Sequence, residues 1–560
     1  MFAILLQIAV AVSPQSPAEL PSVATASPHF VEAQGRVRIF HGANRVMKGP
    51  PWYFPQLLAD EDGEIERMAS LGFSVVRLGW MWSGFNPAPN VFNHTYANVM
   101  KSIVAKLNAK GIYVLLDMHE DVLSSKFCLY DGAPLWVVNK SVSAHAYPWP
   151  IAGNGSNCDS WSWELNELTE AAATAYQDLY DNKLGVNADG TRSGMLDDLA
   201  AFWRESAIVW KGVSGVFFEI INEPFAGNFY RDPLILLPGN AGSKNLQRMY
   251  DAVAAEIRTV DVNRIIFYEP VTWGMIFEGK ILGSGFSHVP GGSEWANASA
   301  LSWHYYCDTF MPNYNKQTPA QINLTKLVCD GVMKTLIFEA IALDIKTLGG
   351  AAMMSEGLAC SDASVGTERE CDAVMDGLDR RLFSWTDYGV SAGRWSPSFS
   401  LSLSFRLIDS HTLPSASQMS QGDTWAPSLR QSEVWARPYA FAVAGQPLSM
   451  GFNASDPLRA FEVCWTIDRA LDRAGPTEIF ASRTYHYCGG EAERVVTASA
   501  SIVQQLDSGL EAGSRGVGAG SEDVLRFASA PRSKSGDLAC VRISRTTPIA
   551  PNTTESMSHI

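Results

Sequence analysis

Between residues 36 and 385, short apolar runs alternate with longer stretches whose apolar positions recur every three or four residues. The short runs are Val37–Phe40, Val75–Leu78, Ile112–Leu116, Val216–Ile220, Ile265–Tyr268, Leu301–Trp303, Ala351–Met354 and Leu382–Ser384. Each has the length and apolar content of a buried strand. Helical spacing occupies Val99–Ala109, Glu167–Tyr180, Met195–Val209, Leu246–Thr259 and Phe338–Leu348. Strands alternating with helices predict a parallel sheet with crossover connections. Eight such strands predict an α/β chain folded as a (β/α)8 TIM barrel.

Near Arg437 the pattern changes. Short β-like runs follow at Ala460–Trp465, Thr477–Phe480, Arg494–Ala498, Val524–Phe527 and Cys540–Ile543, separated by turn residues. They predict a C-terminal antiparallel β-sandwich. The chain therefore reads as a barrel over 30–428, a sandwich over 435–548 and a flexible tail over 549–560. The apolar stretch Phe2–Val12 is too short to span a bilayer. It resembles the apolar region of an export signal, read here as residues 1–20. No transmembrane anchor is expected.

Composition narrows the partners. The 43 Lys and Arg are outweighed by 58 Asp and Glu, for a formal net charge of −15, and no run of five basic residues occurs. Nucleic acid is therefore excluded as an expected partner. With 11% aromatic and only 18% charged residues, the chain better suits a neutral substrate held by hydrogen bonds and stacking. The 9 cysteines form no C-x-x-C or metal-site spacing. A few disulfides and one free thiol are expected, with local pairs Cys128–Cys158, Cys307–Cys329, Cys360–Cys371 and Cys464–Cys488 as guesses. N-x-S/T acceptors at Asn93, Asn139, Asn154, Asn297, Asn323, Asn453 and Asn552 add to an expectation of a secreted or lysosome-like location.

Candidate chemistry gathers at strand ends. In VFFEIINEPFAG an apolar strand runs into Asn222-Glu223-Pro224, and the proline ends the strand ladder and leaves Glu223 at a strand mouth. Glu356, in LGGAAMMSEGLACSD, occupies a similar place. Two carboxyl groups facing each other across one bond can act as acid/base and nucleophile of a retaining glycosidase. Arg77 could orient the nucleophile, Tyr306 could donate a hydrogen bond to it, Asp117 and His119 could bind sugar hydroxyls, and Trp385 could form a flat platform for a sugar ring. Structural roles compete with each of these: an ion-paired Arg77, core histidines at His119 and His304, a packing tryptophan at 385. Asp117, His119 and Asp121 do not complete a metal shell, and no phosphate-binding glycine loop occurs, so neither metal nor cofactor is expected.

The stretches HGANRVMKGPPWY, VVRLGWMWSGFNP, YVLLDMHEDVLSSKFC, INEPFAG, RIIFYEPVTWG, LSWHYY, MMSEG and RPYAFAVAG, in this order, resemble glycoside hydrolase family 5 and its endoglycoceramidase branch. The resemblance implies Glu223 as acid/base and Glu356 as nucleophile, with Asn222 on the 2-hydroxyl of the cleaved sugar. It implies Arg77, His304 and Tyr306 as supporting residues. Lys48, Asp117, His119, Trp385 and either Trp161 or Trp163 would contact sugar. Two departures stand out: HED where the family often has HQD, which would place Glu120 near the glycan, and SEGLA without an aromatic after the glutamate. The implied reaction is release of an intact glycan from ceramide. Leu234, Ile235, Leu236 and Leu237, just beyond Glu223, are candidate contacts for the lipid or for a membrane or micelle surface. The alternatives are single-glucose removal from glucosylceramide or steryl glucoside, a soluble glucan endoglycanase, and a non-catalytic glycan- or lipid-binding protein.

Overall fold

A computed structural model describes residues 20–50, 53–127, 132–151, 164–271, 283–306, 327, 334–357, 365–388, 429–471, 473–488, 494–506 and 523–549. Eight strands close into a barrel. They are β1 (His41–Arg45), β2 (Val75–Gly79), β3 (Tyr113–Asp117), β4 (Val216–Glu219), β5 (Ile266–Tyr268), β6 (Ser299–Tyr305), β7 (Ala351–Gly357) and β8 (Ser384–Asp387). Every pairing around the ring is parallel. Helices His94–Ala109, Glu170–Tyr180, Met195–Trp210, Gln247–Arg258 and Lys334–Leu348 match the predicted helical stretches to within a turn or so. Two have side-chain caps: Asn93 accepts from the Tyr96 amide and Thr169 from the Ala172 amide. Each cap satisfies an amide that the first helical turn leaves without a partner.

The strands β1 and β8 lie a few residues later than the sequence pattern placed them. Val37–Arg38, expected to open the barrel, instead pairs with Tyr439–Val443 in another sheet. The barrel begins at His41, where Gly42 meets β2 so closely that a Cβ would lie 1.8 Å from the Val75 carbonyl oxygen. An apolar run of four residues carries no information about which sheet will bury it.

That other sheet has seven strands, in the order Val23–Ala26, His29–Glu32, Val37–Arg38, Tyr439–Val443, Thr477–Phe480, Val524–Ser529 and Val503–Leu506. A second sheet of four strands, Gly445–Phe452, Phe461–Ile467, Leu538–Arg545 and Arg494–Ala498, completes the predicted antiparallel C-terminal unit. The N-terminal strands thus belong to the sandwich. Buried ion pairs fasten them there: Arg36 and Arg38 donate to Glu32 at 2.8 and 2.6 Å, and Arg36 reaches Glu478 at 3.1 Å. Phe30 from the same segment joins Phe40, Phe217 and Phe267 in a buried cluster with Tyr113, Leu115 and Met353 from the barrel strands.

The barrel and sandwich share a polar and aromatic seam. Tyr439 donates to the Gly72 carbonyl at 2.7 Å, Arg437 donates to Asp379 at 2.9 Å, and the His41 ring stacks on Tyr439 at 3.7 Å.

The predicted Cys464–Cys488 pair does not form. Cys464 is bonded to Cys540, which faces it across neighbouring antiparallel strands with Cα atoms 4.2 Å apart, and Cys488 is a free thiol. Strand register brings together residues 76 apart in sequence, which proximity along the chain could not reveal. Each of the other three guessed pairs includes at least one cysteine outside the described residues. Trp161, Trp163 and all of the predicted export signal but Leu20 also lie outside them. Among the described residues, no helix is long and apolar enough to cross a membrane.

Candidate active site

The functional side chains converge at the C-terminal ends of the barrel strands, where connecting loops can elaborate a site on a rigid ring. Arg77 on β2 is the hub. It is fully buried and donates to Glu356 (2.8 Å), Glu219 (2.5 Å), Asn222 (2.7 Å) and Asn44 (3.1 Å), and pairs with Asp117 at 3.0 Å. Burial opposes its charge, but the carboxylates of Asp117, Glu219 and Glu356 more than offset this and keep the guanidinium ionised.

Glu356 lies on β7 beside β6, where the register shifts by one residue between Trp303 and His304. Besides Arg77, it accepts a hydrogen bond from the Tyr306 hydroxyl at 2.8 Å. Burial and the adjacent Glu356 carboxylate push the Tyr306 phenol well above its ordinary range, so it remains a donor. Two donors on one carboxylate fix its orientation.

Glu223 follows β4 and adopts a left-handed backbone, with φ of 39°. This conformation is uncommon for a residue bearing a side chain. Its Oε1 lies 2.8 Å from His304 Nδ1. Burial, followed by the Asp121 carboxylate, pushes Glu223 up to about 7, against the opposing charges of His119, Lys48 and Arg77. Burial pushes His304 down to about 4, leaving its ring neutral at pH 7.

One oxygen each of Glu223 and Glu356 and a ring nitrogen of His304 all lie within 4.8 Å of one another. Glu219, Glu269 and His304 form a second group of the same kind. The two groups share His304, whose Nδ1 already faces Glu223 and whose Nε2 lies 3.4 Å from Glu269.

A charged wall faces this pair. Lys48 contacts both oxygens of Asp121, at 2.8 and 2.7 Å. His119 lies 2.7 Å from Asp117 and 3.6 Å from Asp121. Although burial lowers the His119 imidazole, Asp117 lifts it to about 9, so it is a cation at neutral pH. Tyr388, just after β8, stacks on the His119 ring at 6.3 Å and lies 5.6 Å from the Lys48 ammonium.

Two expected placements are corrected. Trp385 is fully buried and stacks on His41 at 4.4 Å, on the outer side of β8. Side chains alternate along a strand, so Thr386, not Trp385, shares the inner face, and Tyr388 supplies the aromatic group near the site. Glu120 is likewise fully buried: Tyr176 donates to both of its oxygens, at 2.9 and 2.7 Å, and the Leu123 amide donates as well. Only its carbonyl faces the site, accepting from the Asn222 amide at 2.6 Å. The extra carboxyl group of the HED motif is therefore satisfied within the protein, where burial pushes it well above the usual carboxyl range.

Of the four candidate lipid contacts, Leu234, Leu236 and Leu237 are exposed, at 58%, 44% and 51%, whereas Ile235 is buried. Four site residues were not singled out from the sequence: Asn44, Glu219, Glu269 and Tyr388. Glu219 could have been found by counting along β4, because it shares the inward face of Phe217. Glu269 ends β5 in a Glu-Pro step like that of Glu223.

A parallel eight-stranded barrel presenting a hydrogen-bonded carboxyl group opposite a second one that titrates near 7 has the architecture of a glycoside hydrolase. Residues 37–389 match the family model described as cellulase (glycosyl hydrolase family 5), and residues 437–511 match the glycoside hydrolase family 5 C-terminal domain. The chain belongs to glycosyl hydrolase family 5. It is 37% identical over 338 residues to an endoglycoceramidase of Cyanea nozakii, covering 57% of this chain and 63% of the relative. It is 38% identical over 324 residues to an endoglycoceramidase of Hydra vulgaris, covering 54% and 59%. The matches thus span about six tenths of these relatives. The fold is similar to that of endo-glycoceramidase II from Rhodococcus sp., solved as a ganglioside GM3 complex, with a TM-score of 0.65, 19% identity, and coverage of 94% of this chain and 100% of that one.

Proposed function

We propose that the protein is a retaining endo-β-glycosidase that cleaves the glucosyl–ceramide bond of glycosphingolipids, releasing an intact glycan and ceramide. The observation that carries this reading is the approach of a Glu223 oxygen to a Glu356 oxygen within 4.8 Å. A retaining, double-displacement pair spans about 5–5.5 Å, whereas inverting enzymes leave about 6.5–9.5 Å for a water. Glu356, oriented by Arg77 and Tyr306, attacks the anomeric carbon. Glu223, protonated near neutral pH, gives its proton to the leaving oxygen. Glu223 then takes a proton from water as the glycosyl ester is hydrolysed. One hydrogen of the Asn222 amide remains for the sugar 2-hydroxyl. Lys48, Asp117 and His119 form the polar wall for the first glucose, with Tyr388 as its aromatic neighbour.

The substrate class rests on the endoglycoceramidases of Cyanea nozakii and Hydra vulgaris and on the exposed Leu234, Leu236 and Leu237 beyond the acid/base. Those leucines would meet the ceramide or the surface that presents it. A route through an oxidising compartment, ending in a secreted or lysosome-like location, is supported by the Cys464–Cys540 bond. Exposure of Asn93, Asn139, Asn297 and Asn453 in their glycosylation sequons agrees with it.

The test is incubation with gangliosides, lactosylceramide and glucosylceramide, followed by identification of every product. Intact oligosaccharide plus ceramide is the expected outcome. Turnover of glucosylceramide alone would replace the endo reading by single-glucose removal, and binding without turnover would remove the enzymatic one.

A further inference from the structure

Behind the acid/base stands a third glutamate that the reaction scheme does not use. Glu269, just beyond β5, is buried and meets both Glu223 and His304. Its Oε2 accepts the Glu223 main-chain N–H at 2.9 Å, and its Oε1 lies 3.4 Å from His304 Nε2, on the far side of the ring that meets Glu223. Resting on the retaining-glycosidase reading, we propose that Glu269 is a positioning residue that holds Glu223 in its left-handed backbone and, through His304, reserves one Glu223 oxygen for proton transfer.

The proton arrangement follows from what faces Glu269. Glu219 on β4 and Glu223 just beyond it present carboxyl groups; His304 on β6 is neutral; Tyr250 meets only the Glu269 main chain. Arg77 on β2 supplies the neighbouring positive charge, but its hydrogen bonds go to Glu219, Glu356, Asn222 and Asn44. Burial and the two carboxyl neighbours hold Glu269 protonated. With Oε2 accepting from the Glu223 amide, the Glu269 hydroxyl is on Oε1 and faces Nε2. A neutral imidazole then carries its single hydrogen on Nδ1 and donates it to Glu223 Oε1.

This arrangement serves both halves of the reaction. When Glu223 is the acid, Oε1 accepts from His304 and the exchangeable proton is on Oε2. When Glu223 is the base, Oε1 still accepts from His304 and Oε2 is free to receive the proton of water. Neither half requires His304 to change tautomer. An ionised Glu269 would instead draw the imidazole hydrogen to Nε2 and leave Nδ1 as an acceptor, so that the Glu223 proton would be held on Oε1, away from the leaving group.

Two variants separate the roles. E269L removes both contacts, whereas E269Q retains an acceptor for the Glu223 amide and a donor for Nε2. On lactosylceramide, E269L is expected to lose kcat by about a hundredfold with little change in KM, and to move the alkaline limb of the pH profile. E269Q is expected to rescue kcat to within about tenfold of wild type. On 2,4-dinitrophenyl β-lactoside, whose leaving group needs no proton, the E269L loss in kcat/KM, which reports only the glycosylation half, is expected to shrink to a few fold. Nitrogen NMR of labelled imidazoles, assigned with H304N, is expected to find hydrogen on Nδ1 in wild type and E269Q. Loss in E269Q equal to that in E269L, equal E269L losses on both substrates, or hydrogen on Nε2 in wild type would overturn the proposal. Wild-type inactivity on both lactosides would instead overturn the glycosidase reading, and the NMR result would still decide the role of Glu269.

Discussion

Arg77 Nη1 lies 2.8 Å from Glu356 Oε2, and this contact ties the candidate nucleophile to the centre of the barrel. The same guanidinium serves Glu219, Asn222, Asn44 and Asp117. It is therefore a structural ion-pair member and a site residue at once, and the two readings considered from sequence need not compete. R77M should leave several buried carboxylates without their cation, costing about 3–5 kcal/mol of stability. Denaturant unfolding should report that loss. Activity of the folded fraction should also fall, because Glu356 loses the donor that orients it.

Protonation of Glu223 should set the alkaline side of the activity profile. With Glu223 near 7, kcat/KM should fall about tenfold per pH unit above that value. Stability follows the same proton. Glu223 titrates higher in the folded chain than in the unfolded one, so its contribution is full at low pH and lost as pH rises through about 7. E223Q removes that loss. Relative to wild type, it should therefore gain stability between pH 5 and pH 8, by at most about 3 kcal/mol. Unfolding curves at the two pH values check the sign.

Trp385 and Tyr388 should separate packing from binding. W385F alters a buried ring stacked on His41 and should cost about 1–3 kcal/mol in stability with KM largely retained. Y388A, beside His119 and Lys48, should raise KM for lactosides with a smaller change in unfolding midpoint. Steady-state kinetics and thermal unfolding of both variants measure the contrast.

Replacing Leu234, Leu236 and Leu237 by Ser should weaken use of lipid substrates. The expected result is a KM for lactosylceramide in vesicles raised about tenfold, since each exposed leucine contributes at most about 1.5–3 kcal/mol on full burial. Hydrolysis of 2,4-dinitrophenyl β-lactoside, which carries no lipid, should change far less. Ile235 is already buried and belongs to the fold.

These contrasts also mark what the sequence could convey. The alternation of apolar strands with helices was legible because each strand is buried on both faces, and a buried strand must be apolar along its length. Glu223 and Glu356 were legible because each interrupts such a strand end with a carboxylate. Trp385 was misplaced because inward and outward positions differ by one residue, and the fully buried SWTD strand has no polar face to set its phase. The role of Val37–Arg38 and the Cys464–Cys540 bond depended on pairings between distant segments, which local patterning does not encode. Glu269 escaped notice because it acts on Glu223 from the neighbouring strand.

The role of Glu356 as nucleophile is tested by mass spectrometry of the protein after reaction with 2,4-dinitrophenyl 2-deoxy-2-fluoro-β-lactoside, which slows release of a glycosyl ester. One stable adduct of a fluorolactosyl unit is expected, carried by the peptide containing Glu356 and absent in E356Q. An adduct on another residue, or turnover of lactosides with inversion at the anomeric carbon, would contradict it.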